Sequence, residues 1–346
     1  EKVLLNVYNA MNYLSLDNLE DALVEIRRVN EKLALFNTRY EEHKNRYEQD
    51  AFAHWFSGLL FEMEGYGAYD DALISYKKSY EAYQEAYEPL FGTPPPPFLR
   101  EDILRAAALA GFEDEVAHFS HAFGSPPPDL ETIRKTGEIV LIHENGESPQ
   151  KTDLFVTCYA ARGLPVPLCS VDWSEQGMTP KRIVPPIGGR VFQVAFPKYR
   201  RVPYQIRSSA LQVAERRAPT HLMEDIAAIA EQTLNDRMGR IFAKTVARAA
   251  TKFAAGYALE KGVERAVGKR EGELAGAAVK IFAGLVNQAT EEADKRSWLT
   301  LPAEIRVARV RLPPGTYDGT IEFFDQYGNL LLTREVTDLH VEAGRA

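Results

Sequence analysis

Apolar residues recur at spacings of three and four through the first third of the chain. FAHWFSGLLFEME places Phe56, Leu59, Leu60 and Met63 on one face, and the stretch from Tyr69 to Tyr83 repeats the period through Ala72, Leu73, Tyr76, Tyr80 and Tyr83. Both patterns predict amphipathic helices, separated by a break at Gly65 and Gly67. YNAMNYLSLDNLEDALVEIRRVNEKL has the same rhythm through Ala10, Tyr13, Ala22, Ile26 and Val29. After a run of prolines at 126–128 the signals become those of strands. GEIVLIHENGE has an apolar run from Ile139 to Ile142 closed by Asn145-Gly146, a turn signal, and DLFVTCY and RVFQVAF are further β-rich runs. AEIRVARVRL carries Ile305 and Val307 on one parity and Val310 and Leu312 on the other, which predicts a bulge near Ala308. Turns follow at Pro313–Gly315 and Gly328-Asn329. Between the strand groups, residues 219–296 read as a helical hairpin broken at Gly268 to Gly272.

Residues 65–76, GYGAYDDALISY, explain how one helical pair is joined. The glycines make the turn, Tyr69 packs it, and Asp70 and Asp71 suit the positive end of the next helix. Gly58 and Ala72 are small enough for two helix backbones to approach. These are the features of a tetratricopeptide helix–turn–helix unit. Aligned on Ala22 and Ala72 the units lie fifty residues apart, not thirty-four, and the charged stretch NEKLALFNTRYEEHKNRYEQD fills the excess as an extended second helix. Residues 100–123 hold a third, degraded copy in which GFEDEV echoes GAYDDA, and TPPPPF precedes it as an extended spacer. The plainer alternative is an antiparallel helical bundle. The expected fold is α+β: a TPR-like helical-repeat domain over 1–125, a proline-rich linker over 126–136, and a β-sandwich-like domain over 137–346 carrying the helical insert. PPGTY and the strand after it resemble the last hairpin of transthyretin-like domains.

Charge narrows the choice of partners. The net charge of -8 is uneven: residues 1–125 carry 11 Lys+Arg against 22 Asp+Glu, and the remainder 30 against 27. An acidic first part argues against nucleic acid, whose phosphates dominate its affinity for proteins. Lys244, Arg248 and Lys252 form a basic stripe at i, i+4 and i+8. It suits either an anionic headgroup layer or simply a solvated helix face. Cys158 and Cys169 flank a segment rich in turn residues, and they form either a disulfide in an oxidising compartment or two core thiols. The chain starts at Glu1 without a signal-like segment, so a mature or trimmed chain is expected, with any targeting segment outside it.

Motifs for chemistry are sparse. His118 and His121 lie three apart with no third ligand spelled nearby, and no P-loop, GxSxG, HExxH or GxGxxG occurs. No catalytic residue, cofactor or metal is therefore expected. An envelope glycan- or lipid-acting enzyme would have to use a cleft around His143, Glu144 and Asp172.

The order of the parts carries one resemblance. NYLSLDNLEDALVEIRRVNEKL, AFAHWFSGLLFEMEGYGAYDDALISYKKSYEAY, GEIVLIHENG and ADKRSWLTLPAEIRVARVRLPPGTYDG together resemble the bacterial tetratricopeptide-containing cell-envelope lipoproteins. The resemblance implies a lipidated cysteine upstream of Glu1 and a periplasmic, outer-membrane-associated location. It also implies partners similar to the curli-transport pore subunit or to the penicillin-binding-protein activator. It supplies no catalytic residue. The expected function is a non-catalytic scaffold that grips a protein partner, with Tyr13, Trp55, Tyr76, Tyr80 and Tyr83 in the repeat groove or its packing. The rivals are the enzyme and a membrane-surface module using the basic stripe.

Overall fold

The computed structural model describes residues 3–39, 49–160, 168–174, 177–181, 190–266 and 295–344. The fold is mixed α and β, with helices towards the N-terminus and sheets towards the C-terminus. The chain forms two compact units: Glu1–Ser148 with Val202–Ile229 and Trp298–Ala346, and Pro149–Arg201 with Ala230–Ser297. This division differs from a boundary at 126–136. The helices of 1–125 share a unit with two of the sheets, and the segment 126–136 contains a short helix of its own.

In the first unit the chain opens with α1 (Leu4–Ser15) and α2 (Leu19–Arg39). Asn18 closes the turn between them by accepting the Asp21 amide at 3.1 Å. Leu4, Val7 and Ala10 of α1 are buried, as are Ala22, Ile26, Val29 and Leu33 of α2. α3 (Ala51–Glu64) starts at Asp50, whose side chain accepts the Ala53 amide, and every residue from Ala51 to Phe61 is buried. A helix apolar on all sides is one surrounded by neighbours. Gly65 (φ 90°) and Gly67 (φ 101°) then take backbone conformations that L side chains resist, and α4 (Tyr69–Ala82) begins with Asp70 and Asp71 in its first turn. A π-helical turn at Tyr83–Tyr87 leads into α5 (Glu88–Phe91), and Pro97 opens α6 (Pro97–Leu109) at a position needing no amide donor. α7 (Glu113–Phe123) follows the turn at Gly111, and α8 (Leu130–Lys135) is capped by Asp129.

Two sheets complete this unit. In the first, β1 (Gly137–Asn145) pairs with β10 (Glu304–Leu312) over nine antiparallel positions, and β9 (His221–Glu224) adds to the far side of β10. The second has the order β12-β11-β7-β8, from β7 (Ser208–Val213), β8 (Arg216–Pro219), β11 (Gly315–Phe324) and β12 (Leu330–Val341). The predicted turns at Asn145-Gly146, Pro313–Gly315 and Gly328-Asn329 all lie between strands or at their ends.

The bulge expected near Ala308 is absent, since Ala308 pairs with Leu141 in an unbroken β1–β10 register. The irregularity lies at Ile305/Arg306, against β9. The parity change has another cause. Successive side chains on a strand point to opposite faces, and both faces of β10 are covered. Ile305 and Val307 join the helical core with Val140 and Ile142, whereas Ala308, Val310 and Leu312 share a core with Leu211 and Val213 of β7. On the helix-facing side the apolar run gives way to Arg309 and Arg311.

The second unit is built on β2 (Gln150–Ala160) and β6 (Arg190–Arg200), paired over eleven positions. β3 (Leu168–Cys169) flanks β2, and β4 (Val171–Ser174) pairs with β5 (Gly177–Pro180). α9 (Ile226–Ala266) packs Met238 and Val246 with Val156, Cys158, Val194 and Phe196. The helical insert expected from 219 starts later, because 221–224 form β9. The break at Gly268 to Gly272 and the second helix of the hairpin fall outside the described residues.

Candidate functional site

The first unit contains a buried cluster of three carboxylates and three guanidiniums where α3, α4 and α6 face the ends of β1 and β10. Arg105 holds Glu62 with two bonds, Nε to Oε1 at 2.5 Å and Nη2 to Oε2 at 2.9 Å. Its Nη2 also donates to Asp102 Oδ1 at 2.6 Å, one helical turn away. Arg309 bridges outward from β10, with Nη1 on Asp102 and Nη2 on Glu138. Arg311 donates Nε to Glu138 Oε1 at 2.9 Å. Two aromatic side chains finish the arrangement. Trp55 donates its indole N–H to Asp102 Oδ2 at 3.0 Å, and Tyr76 donates its hydroxyl to Glu62 Oε2 at 2.9 Å.

The cluster keeps its charges because they are balanced and hydrogen-bonded. Burial would push the Glu62 and Glu138 carboxyls up, but Arg105 at Glu62, and Arg309, Arg105 and Arg311 at Glu138, hold both below the usual carboxylate range. Burial, reinforced by Glu62 and Asp102, pushes the Tyr76 phenol well above its ordinary value, so it stays a donor. Neither Glu62 nor Glu138 is poised to exchange a proton near neutral pH.

A cavity of about 260 Å³ opens over this cluster. Its wall takes Glu62 and Arg105 from the helices, Tyr66 and Tyr69 from the glycine turn, Arg134 from α8, and Glu138 and Arg311 from the strands. The GYGAYDDA motif therefore does more than join two helices. It stands Tyr66 at the cavity, 99% exposed.

The residues expected in the repeat groove or its packing divide into two groups. Trp55, Tyr76 and Tyr83 are fully buried and cannot touch a partner from a surface. Trp55 and Tyr76 serve the ionic cluster, and Tyr83 donates its hydroxyl to the Met223 carbonyl on β9 at 2.7 Å. Tyr13 and Tyr80 are half-buried, and Tyr80 packs on Phe123 at 5.3 Å between ring centres. Gly58 also differs from expectation. A Cβ there would lie 2.5 Å from the Tyr76 ring, so the glycine makes room for that ring rather than for a helix backbone.

The other candidate residues are dispersed. His143 and Glu144 are neighbours on β1 and so point to opposite faces, while Asp172 lies on β4 in the other unit and pairs with Lys181 at 2.6 Å. His143 meets Ser209 Oγ at 2.8 Å and the edge of Phe323. Burial, then Arg306, lowers its pKa to about 4, leaving a neutral packed imidazole. His118 and His121 lie on α7, and no group of three or more metal-ligating side chains occurs among the described residues. Lys244 and Arg248 are exposed on α9; Lys252 lies on the same helix, its side chain outside the described residues. Cys158 and Cys169, directly opposite in the β2–β3 register, are joined by a disulfide. No described helix is long and apolar enough to cross a membrane.

Sequence reading missed Asp102, Arg105, Glu138, Arg309 and Arg311. A signal for the last two was present: RVARVRL alternates charge with apolar residues on a strand whose neighbours on the same parity, Ile305 and Val307, are core. No protein-family model matches this chain, and no curated protein or solved structure matches it either.

Proposed function

We propose that the chain is a non-catalytic adaptor of the bacterial cell envelope that binds a protein partner through TPR-like helical hairpins. The carrying observation is the repeated construction of α1–α2, α3–α4 and α6–α7. Each is a pair of helices joined by a short turn, and the second helix of the latter two follows a glycine of positive φ. Stacked hairpins of this kind present an extended surface to a partner. The disulfide between Cys158 and Cys169 supports an oxidising compartment, in keeping with a periplasmic, lipid-anchored protein at the outer membrane. The β-rich part, read as a sandwich-like domain, braces the helices: its Arg309 and Glu138 complete the cluster around Asp102 and Arg105.

On this reading the partner meets residues that the hairpins leave in solvent. Ile74 on α4 and Phe112 before α7 are exposed at 49% and 45%. Purified full-length chain is mixed with envelope lipoproteins of the curli-pore-subunit and penicillin-binding-protein-activator kinds, and binding is followed by interferometry. Binding that Ile74→Asp or Phe112→Asp weakens at least tenfold, and Lys244→Glu with Arg248→Glu leaves intact, supports the adaptor. Binding lost only with the α9 pair moves the interface to that helix, and no binding to either kind removes the assignment of partners.

A further inference from the structure

We propose that the cavity beside α8 is a binding site for a small oxyanion, a carboxylate or phosphate group on a molecule of modest size. The inference comes from the donors and acceptors the wall has left over. Both wall carboxylates are consumed from behind. Glu62 accepts two bonds from Arg105 and one from Tyr76, and Glu138 accepts from Arg309 and Arg311. The guanidiniums are not consumed to the same degree. Arg105 Nη1 comes no closer than 4.0 Å to Glu138 Oε1, and Arg311 uses only Nε and Nη2. Arg134, exposed in the last turn of α8, makes no ion pair among the described residues.

The wall therefore offers unused N–H donors from three arginines with few free acceptors, and its arginines outnumber its carboxylates. A cationic ligand would meet donors facing donors, and a neutral one would leave the charge of Arg134 unanswered. Guanidiniums bind carboxylate and phosphate oxygens through paired, charge-assisted bonds, which is the chemistry this excess suits. The volume limits the guest: about 260 Å³ is below the usual range for drug-sized or nucleotide ligands. Tyr66, almost wholly in solvent at the wall, offers a ring face for the remainder of the guest.

The test is calorimetric titration of the full chain at low ionic strength with succinate, citrate, inorganic phosphate and, as the opposite charge, L-argininamide. Succinate or citrate binding without phosphate assigns a carboxylate guest; phosphate binding alone assigns a phosphate. In either case Arg134→Gln is expected to weaken binding at least about tenfold, the usual worth of a hydrogen bond to a charged partner. Arg134→Lys restores part of it, and the melting temperature of both variants stays at the wild-type value, because Arg134 supports no contact in the core. The proposal is overturned if none of the anions binds, if argininamide binds in their place, or if Arg134→Gln binds them as well as the parent does.

Discussion

Trp55 and Asp102 are 47 residues apart in sequence, yet the indole of one donates to the carboxylate of the other at 3.0 Å in the centre of the first unit. The same carboxylate accepts from Arg105 on its own helix and from Arg309 on β10. Asp102 is thus the point where the helical layer and the first sheet are joined by charge.

Removing it takes one partner from each of two buried cations, Arg105 and Arg309, and leaves the cluster with three guanidiniums against two carboxylates. Asp102→Ala is expected to destabilise the chain by about 3–5 kcal/mol, the cost of breaking a buried pair from one side. Trp55→Phe removes one donor and leaves a carboxylate lone pair unanswered, which costs about 1–3 kcal/mol. Urea unfolding of the two single variants and the double variant measures both values. The double variant should fall short of the sum of the singles, because the shared bond is lost only once. An Asp102→Ala cost below about 1 kcal/mol would mean that the arginines reach water in solution.

Gly58 and Tyr76 make a second, steric pair. The Tyr76 ring is held at both ends, by packing over Gly58 and by its bond to Glu62 at 2.9 Å, so it cannot swing away from an added methyl group. Gly58→Ala gains helix propensity but forces the ring, and a net loss of about 1–3 kcal/mol is expected from overpacking. Tyr76→Leu in the same chain relieves the clash, so Gly58→Ala should then be neutral or stabilising. Thermal unfolding of the four variants decides it; equal costs in both backgrounds would remove the steric explanation.

How much of this could be read from the sequence follows from the range of each signal. Helix period, glycine turns and strand alternation are local, and α3, α4, α7 and the β1, β10 and β11 strands lie where the pattern put them. α6 instead starts at Pro97, inside the stretch read as an extended spacer, because proline suits a first helical turn. The two cysteines, on either side of a stretch rich in turn-favouring residues, could be paired or separate on the same grounds. Burial of Trp55, Tyr76 and Tyr83 was not local. Aromatic residues on a helix face suit a groove and a core equally well, and the choice was made by Asp102, Glu62 and Met223, which reach them from other elements. The ionic cluster was hidden for the same reason. Arg309 and Arg311 share the parity of the core residues Ile305 and Val307, but their partners Asp102 and Glu138 lie on other elements that no local pattern places against them.

The second unit offers a prediction confined to itself. The disulfide ties β3 to β2, with Cys158 in the core beside Val156 and Phe196. A bridge between cysteines 11 residues apart restricts the unfolded chain over a short loop and contributes roughly 2–3 kcal/mol. Cys158→Ser with Cys169→Ser also places a hydroxyl in an apolar cluster. Amide exchange in the β2–β6 ladder should accelerate at least tenfold in this variant, as it should on reduction of the parent chain. Unchanged exchange after verified reduction would show that the strand pairing alone sets local stability.

Glu224 gives the pH dependence its sign. It is buried on β9, and burial, followed by the charge and hydrogen bond of Asp50, raises its pKa well above 4.5. A carboxyl whose folded pKa is raised contributes stability that is present below the unfolded pKa and is lost as pH rises through the folded value. The histidines act in the other direction. His54 is lowered to about 4, by burial and then Lys78, and His143 is lowered to about 4, so they cost stability as pH falls below 6.5. The two effects oppose each other between pH 4.5 and 6.5. Glu224→Gln keeps the shape of the side chain and its donor towards Asp50 but cannot ionise. The variant should therefore gain stability relative to the parent as pH is raised from 4.5 to 8, and the difference should level off above the folded pKa of Glu224. Melting temperatures of both chains across that range measure it. A difference that stays constant with pH would mean that Glu224 has the same proton affinity folded and unfolded, and that the Asp50–Glu224 pair is open to water.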